Sequence, residues 1–262
     1  MNQAGLDPRQ NRLPLGIGKV FAETLSIVRH NISTISVLVF VPILLLVLIE
    51  FLMGMGGYTP ETEAASLFEN GSFLWKNIVS WMFTNSFGVT VYACLVKFVY
   101  DTKLGRPAGL ANSVSAALQV FIPLAVCDFI ATLLALLGMM AFVLPGLYLF
   151  ALWSVVIPSV VLEEAGFHSF ARSASLTSGY RWVIVVAVAI LLALQWGLGL
   201  AIDQQFGDLM TSDSSLNVAA YLLIDAAVTS FFIALGATFF TLIYLRLREI
   251  KEGTAWLAGV VD

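Results

Sequence analysis

Three acidic side chains of this sequence lie inside long apolar runs, where a charge is costly. Asp128 is the only charged residue between positions 120 and 162, Glu50 lies near the end of an earlier run, and Asp225 lies within a later one. A carboxylate in lipid must face other protein groups, pair with a cation or take up a proton. Three interpretations follow for Asp128: a proton or cation site inside the membrane, a polar anchor for a bound headgroup, or a neutral carboxyl hydrogen-bonded to Ser, Thr or Trp of a neighbouring helix.

The basic side chains lie instead at the polar ends of the apolar runs. Six of them lie on or beside short amphipathic segments and are candidates for contacts with lipid phosphates: Lys19, Arg29, Lys103, Arg106, Arg172 and Arg181. Each basic residue near an anionic membrane surface contributes about 1 kcal/mol of attraction. The alternative is that they only set the orientation of the chain in the membrane, and we favour it for any single residue.

The sequence contains no recognisable catalytic, metal or cofactor motif. Its two histidines, His30 and His168, are far apart, and its two cysteines both lie in apolar segments. The segment Gly16-Ile17-Gly18-Lys19 lacks the spacing and the preceding strand of a phosphate-binding loop. We therefore expect no enzymatic activity, no cofactor, no metal site and no nucleic-acid partner.

The elements that position these side chains are transmembrane helices. Of the 262 residues, 59% are hydrophobic and 11% charged, whereas soluble domains carry about 25% charged residues. A spanning helix needs about 20 apolar residues, so the run at 120–162 is long enough for two. Pro145 and Gly146 interrupt this run, and we predict a tight reversal there because proline disfavours helix before it and glycine tolerates turns.

The whole chain, 1–262, is predicted to be a single polytopic membrane domain with a flexible segment at 1–13. Polar loops are expected at 54–76 and 203–215, and helix bends at Pro42, Pro123 and Pro158. Twelve of the thirteen Lys and Arg residues then fall on one side, which predicts cytoplasmic termini and a bacterial inner-membrane location. The six predicted spans are 34–53, 78–100, 120–142, 147–162, 182–202 and 218–245.

Three amphipathic segments, at 15–30, 108–119 and 166–180, each precede an odd-numbered span. Aligned without gaps from Phe21, Leu110 and Phe170, they share Ala at the second position and Ser at the sixth. Ala and Ser are common residues, and amphipathic helices resemble one another, so chance agreement is the alternative. We predict an all-α membrane protein built from three repeats of a cytoplasmic amphipathic helix and a transmembrane hairpin.

One segment carries a more specific set of residues. It reads Leu144-Pro145-Gly146-Leu147-Tyr148, Val160-Val161-Leu162-Glu163, Arg172-Ser173, Leu176-Thr177, Gly179 and Arg181-Trp182. In order and spacing it resembles the membrane domain of the glycerophosphoryl diester phosphodiesterase family and related six-helix bacterial membrane proteins. In that family a soluble phosphodiesterase domain follows the membrane domain, and this sequence carries no acidic metal cluster. The resemblance therefore implies the membrane module without diesterase activity. It makes Arg181 the best single candidate among the basic residues and Gly179 a structural one.

Three functions remain open from the sequence. The first is a non-enzymatic inner-membrane protein that binds lipids or another amphiphile through its cytoplasmic helices. The second is a small transporter or channel in which Asp128 and Asp225 line the path, with helix breaks near the prolines. The third is an accessory subunit whose spans dock on another protein in a larger membrane complex.

Overall fold

The computed structural model describes residues 15–52, 71–210 and 214–253. Over these residues the chain is helical and has no β-strand. Six helices are long and apolar enough to cross a membrane, so the protein is a multi-pass membrane protein and the predicted all-α, six-span fold is confirmed. The expected flexible segment at 1–13 and most of the expected loop at 54–76 lie outside the described residues.

The spans alternate in direction between two ends of the bundle. One end, here called the basic end, holds Lys103, Arg172 and Arg181 where they follow or precede the spans. Span one comprises Ile32–Ile35, a π-helical turn Ser36–Phe40 and Val41–Leu52; span two is Gly71–Lys103; span three is Phe121–Ala141; span four comprises Val143–Leu152 and Val156–Glu163; span five is Arg181–Met210; span six is Ser215–Glu252.

Three short helices precede the odd-numbered spans, as predicted. They are Ile17–His30, Leu110–Gln119 and Ser169–Thr177, the last preceded by a 3-10 turn at Gly166–His168. The second packs against span two and the third against span four, whereas the first packs against span six. Each short helix therefore contacts an even-numbered span. The first short helix, which precedes span one, packs against the last span of the chain.

The three short helices also share a buried face that the alignment did not identify. Their fourth aligned position carries a fully buried hydroxyl residue in every case: Thr24, Ser113 and Ser173. The shared Ala and Ser positions are exposed, and large apolar side chains such as Leu25 and Val114 are exposed as well. At this fourth position a small residue faces the bundle, where it allows close helix packing.

Spans five and six are longer than predicted. At 1.5 Å per residue, the 38 residues of span six extend for about 57 Å, whereas a bilayer core is about 30 Å thick. Asp203 and Asp208 belong to the end of span five, so the predicted loop at 203–215 is mostly helix. A helix outside the lipid needs no apolar residues. The last turns of span six are supported by the pairs Arg246–Glu249 and Arg248–Glu252.

The predicted reversal at Pro145 and Gly146 is wrong in its position. The break between spans three and four is Phe142, whose backbone is extended, and the next helix begins at Val143. Pro145 lies in the first turn of this helix, where no backbone N–H is needed. Gly146 is required for a different reason: a Cβ there would lie 2.7 Å from the Cα of Met139 in span three. The hairpin is therefore a close approach of two helices.

Two further prolines begin helices instead of bending them. Pro123 is the third residue of span three, and Pro158 is the third residue of the helix Val156–Glu163. Span four is broken before Pro158, at residues 153–155, because proline tolerates the first turn but not the interior of a helix. At Pro42 the predicted irregularity is a π-helical turn at Ser36–Phe40, which ends just before that proline.

Candidate functional site

A cavity of about 390 Å³ lies at mid-height in the bundle, between spans two, three, four and six. Ile233 and Phe240, which line it, lie near the middle of span six. Most of its wall is apolar, but six lining residues carry polar side-chain groups: Thr84, Asn85, Tyr92, Asp128, Thr132 and Ser154. Its size falls in the range of small-molecule sites, about 300–1,000 Å³.

Asp128 is the acidic residue of this wall. Asn85 of span two donates a hydrogen bond from Nδ2 to Asp128 Oδ2, with a separation of 2.7 Å. The predicted Ser, Thr or Trp partner is therefore wrong, since the partner is an amide. Both side chains are half-buried. The preceding residue, Thr84, donates a hydrogen bond to Glu50 of span one, which ties a second predicted acid to span two.

A second cavity, of about 410 Å³, adjoins the first between spans three, four and five. The two cavities share Thr132, Ala135 and Phe150 in their walls. Apart from Thr132, the described residues that line the second cavity are apolar or aromatic. Two of them, Leu136 of span three and Trp196 of span five, are exposed, so this cavity opens at the surface of the bundle. Together the cavities provide a polar wall on one side and a longer apolar space on the other.

The break in span four forms part of the first cavity, since Trp153 and Ser154 line it. A break inside a membrane helix leaves carbonyl groups that need other donors. The third short helix supplies one donor: Ser173 Oγ donates to the Leu152 carbonyl over 2.8 Å. Thr177 Oγ1 donates over 2.8 Å to the Ser173 carbonyl of its own helix. The irregular backbone beside the cavity is thus stabilised from the basic end.

The third short helix is also joined to spans four and six by ion pairs. Arg172 donates to both carboxylate oxygens of Glu163, with Nε–Oε2 at 2.9 Å and Nη2–Oε1 at 2.8 Å. Its Nη1 lies 2.5 Å from Glu252 Oε1. Arg248 donates to Glu252, and Tyr244 donates to Glu163 over 2.6 Å. The hydrogen bonds to Glu163 raise the pKa of the Arg172 guanidinium above its ordinary value.

This network changes the interpretation of Arg172, which the sequence offered as a lipid contact. Its donors are engaged by two carboxylates, so a lipid phosphate would have to compete with Glu163 and Glu252. Sequence reasoning missed both acids as partners because they lie 9 and 80 positions away from Arg172. The occurrence of Glu163 and Arg172 in one family-like segment was the only signal for the first pair.

Arg181 has protein partners as well. Its Nη1 donates to the hydroxyl of Tyr148 over 2.7 Å, and its Nη2 donates to the Ala174 carbonyl over 3.0 Å. Gly179, two residues earlier, has a φ of 89°, which L-residues rarely adopt. Gly179 therefore makes the turn from the third short helix into span five, and Arg181 fastens that turn to span four.

The other four basic candidates are exposed at the basic end. Lys103 pairs with Glu23 of the first short helix, and together with Lys19 they line a cavity of about 620 Å³. Arg106 lies in the turn after span two, and Arg29 is on the first short helix, away from that cavity. The structure therefore brings Lys19 and Lys103 together but does not assemble all six candidates into one surface.

Asp225 does not line the cavity that contains Asp128. Asp225 lies in the half of span six that is farther from the basic end. It is close enough to Glu50 and Asp203 for electrostatic interaction. Asp203 accepts a hydrogen bond from the Tyr221 hydroxyl over 3.1 Å. The two acids that the sequence suggested as one path thus lie in different surroundings, and Asp128 alone faces the mid-height cavity.

Comparisons with protein-family models, with curated proteins and with solved structures gave no match to this chain. Among the described residues, no group of three or more His, Cys, Asp or Glu side chains is placed to hold a metal ion. The function is therefore inferred from the geometry of the cavities and of the helices that form them.

Proposed function

We propose that this multi-pass protein lies in a bacterial inner membrane with cytoplasmic termini and binds an amphiphile inside the helical bundle, without enzymatic activity. The observation that carries the proposal is the pair of adjoining cavities at mid-height. Asp128 and Asn85 form the polar wall of one, and the other is almost entirely apolar. A molecule with a small polar head and an apolar body matches this division.

A binding site between the spans accounts better for the geometry than contacts between lipid phosphates and the six basic candidates. Arg172, Arg181 and Lys103 already bind protein groups, so a lipid phosphate would have to displace them. In the cavity, Asp128 accepts a hydrogen bond from Asn85 at Oδ2, and none of the described residues donates to its other carboxylate oxygen. Membrane lipids stay candidates for the amphiphile, and the concentration of basic residues at one end supports the proposed orientation of that end toward the cytoplasm.

We also propose that the family-like segment at 144–182 has a structural role in this membrane module. Its residues make the contacts that hold span four: Arg172 binds Glu163, Ser173 binds the carbonyl at the break, and Arg181 binds Tyr148. A module of this kind needs no diesterase activity to bind an amphiphile.

Filling the cavities tests the proposal. Ala135 lines both cavities and is 5% exposed, so Ala135→Phe should occupy the space between them. Ala201→Phe, at an exposed position of span five, is the matched control. We expect native mass spectrometry to find a specific amphiphile on the wild type and on Ala201→Phe, but much less on Ala135→Phe. Bulk lipid bound equally to all three proteins would contradict the proposal.

The broken helix of span four favours a second candidate function, a transporter of the same amphiphile. Discontinuous helices beside a mid-membrane site are characteristic of secondary transporters, in which the two helix halves move around the ligand. Residues 153–155 place such a break at the cavity wall. Uptake of the retained amphiphile into proteoliposomes, abolished in Ala135→Phe, would support transport; binding without uptake would limit the protein to binding.

A further inference from the structure

The charge of the cavity wall restricts the chemistry of the polar head. Among the described residues that line the cavity, Asp128 is the only Asp or Glu, and no Lys, Arg or His is present. An anionic head would therefore meet a carboxylate without any compensating cation. A cationic head would instead neutralise the carboxylate in surroundings of low dielectric, where opposite charges attract strongly.

The hydrogen bonding of Asp128 leaves room for such a partner. Asn85 donates to Oδ2, and no described residue donates to Oδ1. A carboxylate oxygen without a donor can accept a hydrogen bond from an ammonium group or lie beside a quaternary one. The amide of Asn85 meanwhile holds the carboxylate at the cavity wall, so the acceptor is positioned before a ligand arrives.

Aromatic side chains complete the wall. Four rings line the same cavity: Tyr92, Phe150, Trp153 and Phe240. Aromatic faces attract cations, and quaternary ammonium groups are often recognised by several rings together with an acid. Trp153 lies at the break of span four, and Phe150 is shared with the apolar cavity. The rings and the carboxylate therefore line one cavity, and Phe150 also borders the space proposed for the apolar body.

From this arrangement we infer that the ligand is a lipophilic organic cation, whose ammonium group lies beside Asp128 and whose apolar body extends past Ala135 into the adjoining cavity. The inference rests on the proposed function, because it names the class of amphiphile that the same cavities bind. The two adjoining cavities have volumes of about 390 and 410 Å³. Together they are large enough for a ring system or chain attached to the cationic head.

A pair of photoreactive probes tests the inference. (4-Benzoylbenzyl)trimethylammonium carries a cationic head, and 4-neopentylbenzophenone is its neutral isostere, in which carbon replaces nitrogen. Each probe is irradiated with the purified protein in lipid nanodiscs, and labelled peptides are mapped by mass spectrometry. Labelling of the cavity wall in span three is divided by labelling of Val186, Ile190 and Leu194, exposed residues of span five that line neither cavity, which corrects for unequal partition into lipid.

We expect the cationic probe to label the cavity wall at least about tenfold more than its neutral isostere. Attraction of the cation to one carboxylate and to the aromatic faces is large enough for a preference of this size. Asp128→Asn should remove this preference while leaving neutral labelling unchanged. Asp203→Asn, which changes an acid outside the cavity, is the matched control and should keep the preference. Because the comparison of the two probes uses the wild type, the result does not depend on the folding of a variant.

Three outcomes would overturn the inference, and they differ in their meaning. Equal labelling of the cavity wall by both probes would refute a cationic ligand but would support an amphiphile site. Labelling confined to the lipid-facing surface for both probes would refute the amphiphile site and the cationic ligand together. A preference for the cation that survives Asp128→Asn would also refute the assigned role of that carboxylate.

Discussion

The approach of spans three and four at Gly146 predicts a measurable loss of stability from a single methyl group. A Cβ at Gly146 would lie 2.2 Å from Met139 Cγ, 2.6 Å from Met139 N and 2.7 Å from Met139 Cα. The side-chain atom can rotate away, but the two backbone atoms cannot. Ordinary contacts of a Cβ begin near 3.4 Å, so Gly146→Ala must open the hairpin by nearly 1 Å.

Overpacking of this kind costs about 1–3 kcal/mol. The replacement of glycine by alanine in an open helix position instead stabilises the helix by up to about 1 kcal/mol. Gly197 provides that comparison, since nothing lies within 4 Å of a Cβ there. Gly138 is intermediate, with Leu149 Cδ1 at 3.0 Å and Gly146 Cα at 3.1 Å. We therefore expect stability to fall in the order Gly197→Ala, Gly138→Ala, Gly146→Ala.

Thermal unfolding in one detergent, at one scan rate and followed by tryptophan fluorescence, measures this order. A free-energy difference of 1 kcal/mol shifts the Tm of a soluble protein of 150–250 residues by about 2–4 °C. The Gly146→Ala variant should thus unfold about 2–10 °C below Gly197→Ala. Equal Tm values for the three variants, or a higher value for Gly146→Ala, would refute the close approach of the two helices.

Two further predictions concern the third short helix. Arg172→Gln removes the closer of the two cations that Glu163 and Glu252 share, leaves them Arg248, and should destabilise the protein by about 1–3 kcal/mol. Arg246→Gln breaks one exposed pair and should cost less than about 0.5 kcal/mol; similar Tm values would argue against the network. Ser173→Ala removes the hydroxyl that donates to the Leu152 carbonyl at the break in span four. Hydrogen exchange at 153–155 should then accelerate, as it should not in the exposed control Ser26→Ala, and unchanged exchange would contradict this role.

The third repeat unit differs from the other two at the buried hydroxyl that all three share. Thr24 and Ser113 donate to carbonyls of their own helices, at Val20 and Gly109. Ser173 donates instead to Leu152 in span four. The same position therefore stabilises a continuous short helix in two units and a broken membrane span in the third, which is the unit whose break lines the cavity.

Much of this arrangement follows from the sequence alone. The number of spans, their alternation and the order of short helix and hairpin could be predicted because hydrophobicity and helical periodicity are local properties. That Asp128 would have a partner within the protein could be predicted as well, since a single acid in an apolar run of 43 residues is costly wherever it lies. The end of span six could not, because its last turns continue as helix supported by the pairs Arg246–Glu249 and Arg248–Glu252.

Only the tertiary structure decided which residues of different helices contact one another and which spaces remain between them. Asp128 meets Asn85 across 43 positions, and Tyr244 meets Glu163 across 81; such pairs depend on distances between helices that no local pattern encodes. Gly146 looked like a turn residue, but the close passage of Met139 explains it. The cavity is the clearest case, because an empty space is a property of four packed spans and of no single segment.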